Sequence, residues 1–248
     1  MIQTIWKEVF EVQAHETDLL RRWRPSGVFR AIQTIGQHHA SHLGYDYRDM
    51  LLQNQSWVLA RVRVEFDRFP LAGEMITIQT WPKDIQQKLF FVRDFLLTDE
   101  ADQLVARASS AFVLIDTQAR RILPPRALGG ELPCLPQKAA IQAPLEKIIE
   151  VGQPGEILVR EAGYSVVDLM GHVNNAVYVD WVCDALPASY FEQRHLAAVQ
   201  VNYNKEVRPG ESVSIQVGQL DGQMTLKGIN QTTGETAFES QVLWRESA

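Results

Sequence analysis

The sequence predicts an α+β fold made of two similar units, each a helix held in a curled antiparallel sheet. Three observations predict it. A strand, a helix and several strands follow one another twice along the chain. An ungapped segment of the first half repeats in the second. A proline-rich stretch with no regular periodicity separates the two.

The first strand is read in "IWKEVFEVQA", where apolar residues alternate over part of its length. In "SGVFRAIQTIGQHHASHLG", Val28, Ile32, Ile35 and His39 fall at helical spacing, and Gly44 marks the C-terminal end. Strands follow in "SWVLARVRVEF", "EMITIQTW", "KLFFVRDFLLT" and "QLVARASSAFVLID", the last three after turns or polar breaks. These assign 1–125 to a first unit. Residues 126–155, within "ARRILPPRALGGELPCLPQKAAIQAPLEK" and beyond, read as a linker ordered against the surface. The second unit, 156–248, restarts with "GEILVREAGYSV" and a helix from about Asn174 to Cys183. It closes with "AAVQVNYNKEV", "ESVSIQVGQL", "QMTLKGINQ" and "TAFESQVLW".

The repeat is read residue against residue. Laying 62–79 on 199–216 pairs Val64 with Val201, Phe66 with Tyr203, Arg68 with Lys205, and Gly73-Glu74 with Gly210-Glu211. The shared Gly-Glu turn suggests the same hairpin twice. Upstream, "TDLL" at 17–20 matches "VDLM" at 167–170 under a different offset, because the first half carries extra residues around "GYDYRDMLLQNQ". Two such units can pair edge to edge into one longer sheet, which would cover edge strands.

Bulk properties narrow the function. With 248 residues, 46% hydrophobic, the chain can bury a large core. A net charge of -6 argues against a general nucleic-acid binder. No apolar run reaches the length of a membrane span. The N-terminal residues lack the basic and apolar regions of a signal peptide. Cys134 and Cys183 are far apart, so a disulfide framework or zinc knuckle is not expected, and a cytoplasmic setting fits. His38 and His42 stand one helical turn apart, but no nearby acid or cysteine completes a metal set. Neither a phosphate-binding GxxxxGK[ST] loop nor a GxSxG elbow occurs. No metal and no cofactor is expected.

The chemistry concentrates in "VVDLMGHVNNAVYVDW". Asp168, Gly171, His172 and Asn174 stand at the mouth of the second helix, and Glu206 lies on the strand-like run "VNYNKEVRPGE". Amides in a helix's first turn lack internal partners and carry partial positive charge, so they can hold a developing oxyanion. A carboxylate beside an imidazole there can activate water. Under the two offsets Glu206 falls on Phe69 and His172 on Arg22, so the first half keeps the scaffold without the polar set. Each residue alone has an ordinary structural reading, as a cap, a turn or a surface charge; jointly, and absent from the sister half, they favour a site.

"DLMGHVNNAVYVDW" with "NYNKEVRPGE", together with "WVLARVRVEFDRFPLAGEMITIQTWP", resembles the acyl-acyl carrier protein (acyl-ACP) thioesterases, and the resemblance covers nearly the whole chain. It implies a tandem hotdog fold, two antiparallel sheets each wrapped around a long helix and forming one continuous sheet. It also implies hydrolysis of fatty acyl-ACP to free fatty acid, with acyl carrier protein as partner and a monomer or homodimer as assembly. The family's catalytic Asp, His and Glu map to Asp168, His172 and Glu206, with the N–H groups near Gly171 and Val173, and Asn174, around the oxyanion. The family's Asn two residues after the Asp is Met170 here. The Cys that plant members carry after the Glu is Val207, which removes any covalent cysteine route there. The acyl tail would enter the N-terminal unit, with Phe29, Ile32 and Ile35 as channel residues, and "LLRRWRPSG" and "ARRILPPR" as docking points for an acidic carrier. Other hotdog enzymes, an acyl-CoA thioesterase or a 3-hydroxyacyl dehydratase, and a non-catalytic acyl-binding protein remain as alternatives.

Overall fold

The computed structural model describes residues 3–148, 157–220 and 223–246. The chain divides into two compact units, Met1–Arg24 with Arg30–Val62 and Asp67–Leu145, and Pro25–Phe29 with Arg63–Phe66 and Glu146–Ala248.

By chain order, the N-terminal half, called the first unit from here, contains β1 (Trp6–Glu11), α1 (Pro25–His42), α2 (Tyr47–Leu52), β2 (Gln55–Phe66), β3 (Met75–Gln86), β4 (Phe90–Thr98), β5 (Leu104–Asp116) and β6 (Arg121–Leu123). Pro25 opens α1 where a missing N–H costs nothing, and Gly44, at φ +86°, follows its last turn. Val28, Phe29, Ile32, Ile35 and His39 form the fully buried stripe that the spacing predicts. The strand order is β1-β3-β4-β5-β2, with β6 on β5. β2 and β3 are therefore not neighbours, and the expected Gly-Glu hairpin is overturned: the turn joins strands at opposite sides of the unit. Local alternation encodes a strand's faces but not its pairing partner. β3 also runs five residues beyond its predicted end, because a register shift between Pro82 and Asp84 lets the ladder pass the proline.

The predicted linker is ordered as far as it is described; 149–155 lie outside the described residues. It is a buried strap more than a surface connector. Leu128, Ile141 and Leu145 are buried, each contributing roughly 1.5–3 kcal/mol. Its backbone takes donors from the unit's interior: Trp81 Nε1 donates to Lys138 O at 2.8 Å and Lys83 Nζ to Ile141 O at 2.7 Å. Asp94, wholly buried, accepts from the Ala140 N–H (2.7 Å) and Ser109 Oγ (2.7 Å), with Lys83 Nζ at 3.6 Å. Helix α2, which the sequence pattern misses, puts Met50 into a small second core with Phe91, Leu114 and Leu128. Cys134 has no catalytic setting, as burial and Asp84 push its thiol up.

The second unit contains β7 (Ile157–Glu161), α3 (Asn175–Asp184), α4 (Ala188–Gln193), β8 (Arg194–Tyr203), β9 (Ser212–Leu220), β10 (Gln223–Asn230) and β11 (Thr236–Glu246), ordered β7-β9-β10-β11-β8. That is the first unit's order repeated. Helix α3 has ten residues against eighteen in α1 and is buried nearly all round: Ala176, Val177, Tyr178, Val179, Trp181 and Val182 are all inside. The units repack one shared position with opposite volumes. In the first, Leu97 stands opposite Ala106; in the second, Gly228 stands opposite Phe238. A Cβ at residue 228 would collide with the Phe238 ring, so only glycine fits. The ring it admits packs edge-on against Tyr178 of α3, centroids 5.1 Å apart.

Candidate active site

The site is assembled on the loop before α3. The Asp168 N–H donates to His172 O (2.9 Å) and the Gly171 N–H to Asp168 O (3.0 Å), closing a tight turn in which Gly171 takes φ +77°. An L side chain resists that conformation and glycine does not. The Asp168 carboxylate accepts from the Met170 N–H at 2.9 Å and so orders the loop. Among the described residues it makes no bond to the imidazole. Asn174 caps α3, its side-chain oxygen accepting from the Ala176 N–H at 2.9 Å. That leaves its NH2 as a donor at the helix mouth.

Glu206 does not lie on a strand as the sequence suggests, because β8 ends at Tyr203. The segment after it is pinned instead. The Asn204 and Lys205 N–H groups both donate to Ala237 O (2.8 and 3.1 Å). Val207, fully buried, accepts from the Val173 N–H at 2.9 Å, and its backbone is hydrogen-bonded to the Tyr178 phenol. These bonds tie Glu206 to both the loop and the helix. The result is a His172 Nε2 to Glu206 Oε2 contact of 3.0 Å, with the two side chains 26% and 45% exposed, within reach of water. Burial pushes the Tyr178 phenol well above its ordinary range, and the carboxylates of Glu206 and Asp168 add to the rise. Both acids are thus close enough for Tyr178 to register their charge. The Tyr203 phenol donates to Asn175 O at 2.9 Å and clamps the first residue of the helix.

The expected oxyanion donors need correction. The Gly171 amide is engaged by Asp168 O and the Val173 amide by Val207 O, so neither is available to a substrate oxygen. Both amides build the site instead. Among the described residues, the donors left at the helix mouth are the His172 N–H, the Asn175 N–H at the first helical position, and the Asn174 side-chain amide. Sequence spacing identifies the loop but not which of its amides are engaged. It also passes over Tyr178 and Tyr203, whose signal is present as the Tyr of "NNAVY" and the Tyr three residues before Glu206. Phe29, Ile32 and Ile35 are 2%, 3% and 0% exposed. His38 pairs with Glu8 at 2.8 Å, and no group of His, Cys, Asp and Glu among the described residues could hold a metal ion. In "LLRRWRPSG", Arg22 is paired with Asp18 (2.7 Å) and Arg24 donates to His15 O (2.8 Å), so both are tied to their own loop.

Each half sets a buried helix against the same strand order, and a His–Glu pair stands at the mouth of the second helix. The comparisons with known proteins specify the family. Residues 3–124 match the acyl-ACP thioesterase N-terminal domain and residues 154–246 the C-terminal domain. The chain belongs to the acyl-ACP thioesterase family and is a thioester hydrolase. It is 24% identical over 257 residues to an oleoyl-acyl carrier protein thioesterase of Coriandrum sativum, covering 95% of this chain and 69% of that one. It is likewise 24% identical to a dodecanoyl-[acyl-carrier-protein] hydrolase of Cinnamomum camphora, over 82% of this chain and 56% of that one. In structure it is similar to an acyl-ACP thioesterase from Bacteroides thetaiotaomicron (TM-score 0.87, 22% identity, 98% of each chain). It is equally similar to the 12:0-ACP thioesterase from Umbellularia californica (TM-score 0.87, 21% identity, 99% of this chain and 98% of that one).

Proposed function

We propose that this chain hydrolyses fatty acyl-ACP thioesters by direct attack of water, releasing free fatty acid and ending chain elongation. Glu206 is the general base. It takes the proton of a water positioned between its carboxylate and the thioester carbon. His172, in contact with Glu206, holds the carboxylate in place and serves the proton's onward transfer to the departing thiolate. The oxyanion forms beside the His172 and Asn175 amides and the Asn174 side-chain NH2, where developing charge meets the positive end of α3. Asp168 keeps the loop closed. Val207, next to the base, offers no nucleophile, so no acyl-enzyme forms at that position. The acyl tail enters the N-terminal unit; Phe29, Ile32 and Ile35, at 2%, 3% and 0% exposure, are sealed in its core and do not wall an open channel. The acyl carrier protein is the partner, and the enzyme works in the cytoplasm as a monomer or homodimer.

The observation that carries this reading is the 3.0 Å His172–Glu206 contact on a backbone whose sister copy holds neither residue. Glu206→Gln keeps the size of the side chain and removes the base. It is expected to lower kcat about 10²–10⁴-fold with the circular dichroism spectrum unchanged. Full fatty acid release by that variant would refute the assignment. Formation of an enoyl product from a 3-hydroxyacyl thioester, with no free acid, would mark a dehydratase.

A further inference from the structure

We infer that Arg208 binds the phosphate of the phosphopantetheine arm that carries the acyl group, an inference that rests on the thioesterase reading. Three observations lead to it.

The first is orientation. Glu206, Val207 and Arg208 are consecutive residues outside any helix; Val207 is fully buried while Glu206 and Arg208 are both exposed. With Val207 turned inward between them, the carboxylate and the guanidinium both stand on the exposed side of the segment.

The second is rigidity without a structural use for the charge. The Arg208 N–H donates to Glu211 Oε2 (2.8 Å), and its carbonyl accepts from the Glu211 N–H (3.1 Å). Pro209 and Gly210, at φ +82°, close the turn. The backbone is fixed, yet the guanidinium has no acidic partner among the described residues. Its neighbours are already matched: Lys205 pairs with Glu235 at 3.1 Å, and Glu211 takes the Asn230 side-chain amide at 2.7 Å. The backbone is already ordered, so meeting an anion costs only the side chain's own freedom.

The third is the sister unit. The equivalent turn there is closed by the Glu74 N–H donating to Leu71 O at 3.0 Å, and the residue in the place of Arg208 is Leu71, 43% exposed. The fold therefore does not require a cation at this position. The charge is present only in the unit that carries Glu206.

The substrate supplies the complementary group. An acyl carrier holds its thioester at one end of a pantetheine arm and a phosphate at the other, and a guanidinium fork suits a phosphate's paired oxygens. The same phosphate occurs in coenzyme A, so the test isolates it from either carrier. A matched pair of substrates, S-acyl-pantetheine and S-acyl-4′-phosphopantetheine, differs only in that group.

Wild-type enzyme is expected to favour the phosphorylated substrate in kcat/KM by roughly tenfold, through KM. Arg208→Gln should bring that ratio close to one, and Arg208→Lys should restore part of it. A wild-type ratio of one, or an unchanged ratio in Arg208→Gln, overturns the assignment. So does a loss seen only with intact acyl carrier protein, which would place Arg208 against the carrier's acidic surface. Hydrolysis of the phosphate-free thioester by wild-type enzyme supports the thioesterase reading whatever Arg208 does, and its absence with every substrate would end that reading instead.

Discussion

The loops that enter α1 and α3 share one backbone and hold opposite chemistry. In the first, Asp18 N–H bonds Arg22 O and Trp23 N–H bonds Pro70 O; in the second, Asp168 N–H bonds His172 O and Val173 N–H bonds Val207 O. Arg21 and Gly171 occupy the same positive-φ corner. On this common frame, the first unit places the Arg22 guanidinium 5.5 Å from the Phe69 ring centroid, where the second places His172 against Glu206. The difference extends one layer inward. Val207 offers its backbone to the Tyr178 phenol; its counterpart Pro70 has no N–H, and the counterpart of Tyr178 is Val28. A scaffold contact in one unit is thus a device for aiming a carboxylate in the other.

The largest test of this comparison transplants the sister's pair. His172→Arg with Glu206→Phe should fold, because the same backbone already carries that combination. Hydrolysis should fall to background, a loss of about 10²–10⁴-fold or more, while the melting temperature moves by only a few degrees, on the order of 1 kcal/mol. If the double variant fails to fold, the two loops are not interchangeable frames and the comparison breaks.

A second test separates the units by pH. In the first unit, burial holds His39 down at about 4, with Arg93 donating to its Nδ1 at 2.8 Å. A histidine that charges less readily folded than unfolded contributes stability above its unfolded value of about 6.5, lost as pH falls toward 4. In the second unit, burial raises the Tyr178 and Tyr203 phenols above 10, so their contribution is present below 10 and lost as pH rises past it. Buried Asp94 is raised and opposes His39 on the acid side, while Arg93, lowered by burial to about 10, opposes the phenols. The informative quantity is therefore a difference. His39→Gln is expected to flatten the loss of urea resistance between pH 6.5 and 4.5 by on the order of 1–2 kcal/mol, leaving the alkaline limb unchanged. An identical acid limb in both proteins would remove His39 from the account.

Much of this was legible before any coordinates. The Asn174 cap, the apolar run behind it and the two short matches locate the duplicated frame and its polar loop, because caps and helical periodicity are local signals. What was not legible depends on partners distant in sequence. The Gly-Glu turn gave no sign that β2 and β3 lie apart. Nothing near Glu206 shows that its strand stops at Tyr203 and that Val207 is held from two sides. The amides of Gly171 and Val173 look available in sequence, and only the positions of Asp168 O and Val207 O show them engaged. The linker's apolar residues, scattered among prolines, carry no periodicity, although Ile141 and Leu145 are buried as fully as core strands.

The smallest test addresses the shared corner itself. Arg21 and Gly171 adopt φ +62° and +77°, and each amide donates to the carbonyl of the aspartate three residues before it at 3.0 Å. A side chain in left-handed backbone costs roughly 1–2 kcal/mol, whereas glycine has the conformation freely but loses more entropy on folding. A Cβ on Gly171 would meet nothing within 4 Å, so backbone strain is the whole cost there. Gly171→Ala should destabilise by about 1 kcal/mol and also slow hydrolysis, since His172 follows directly. Arg21→Gly should stabilise by a few tenths of a kcal/mol with hydrolysis unchanged. Opposite signs in urea midpoints would show that both units carry the same strained corner and that only the catalytic one has relieved it with glycine; equal signs would mean that the two turns, alike in hydrogen bonding, are held by different forces.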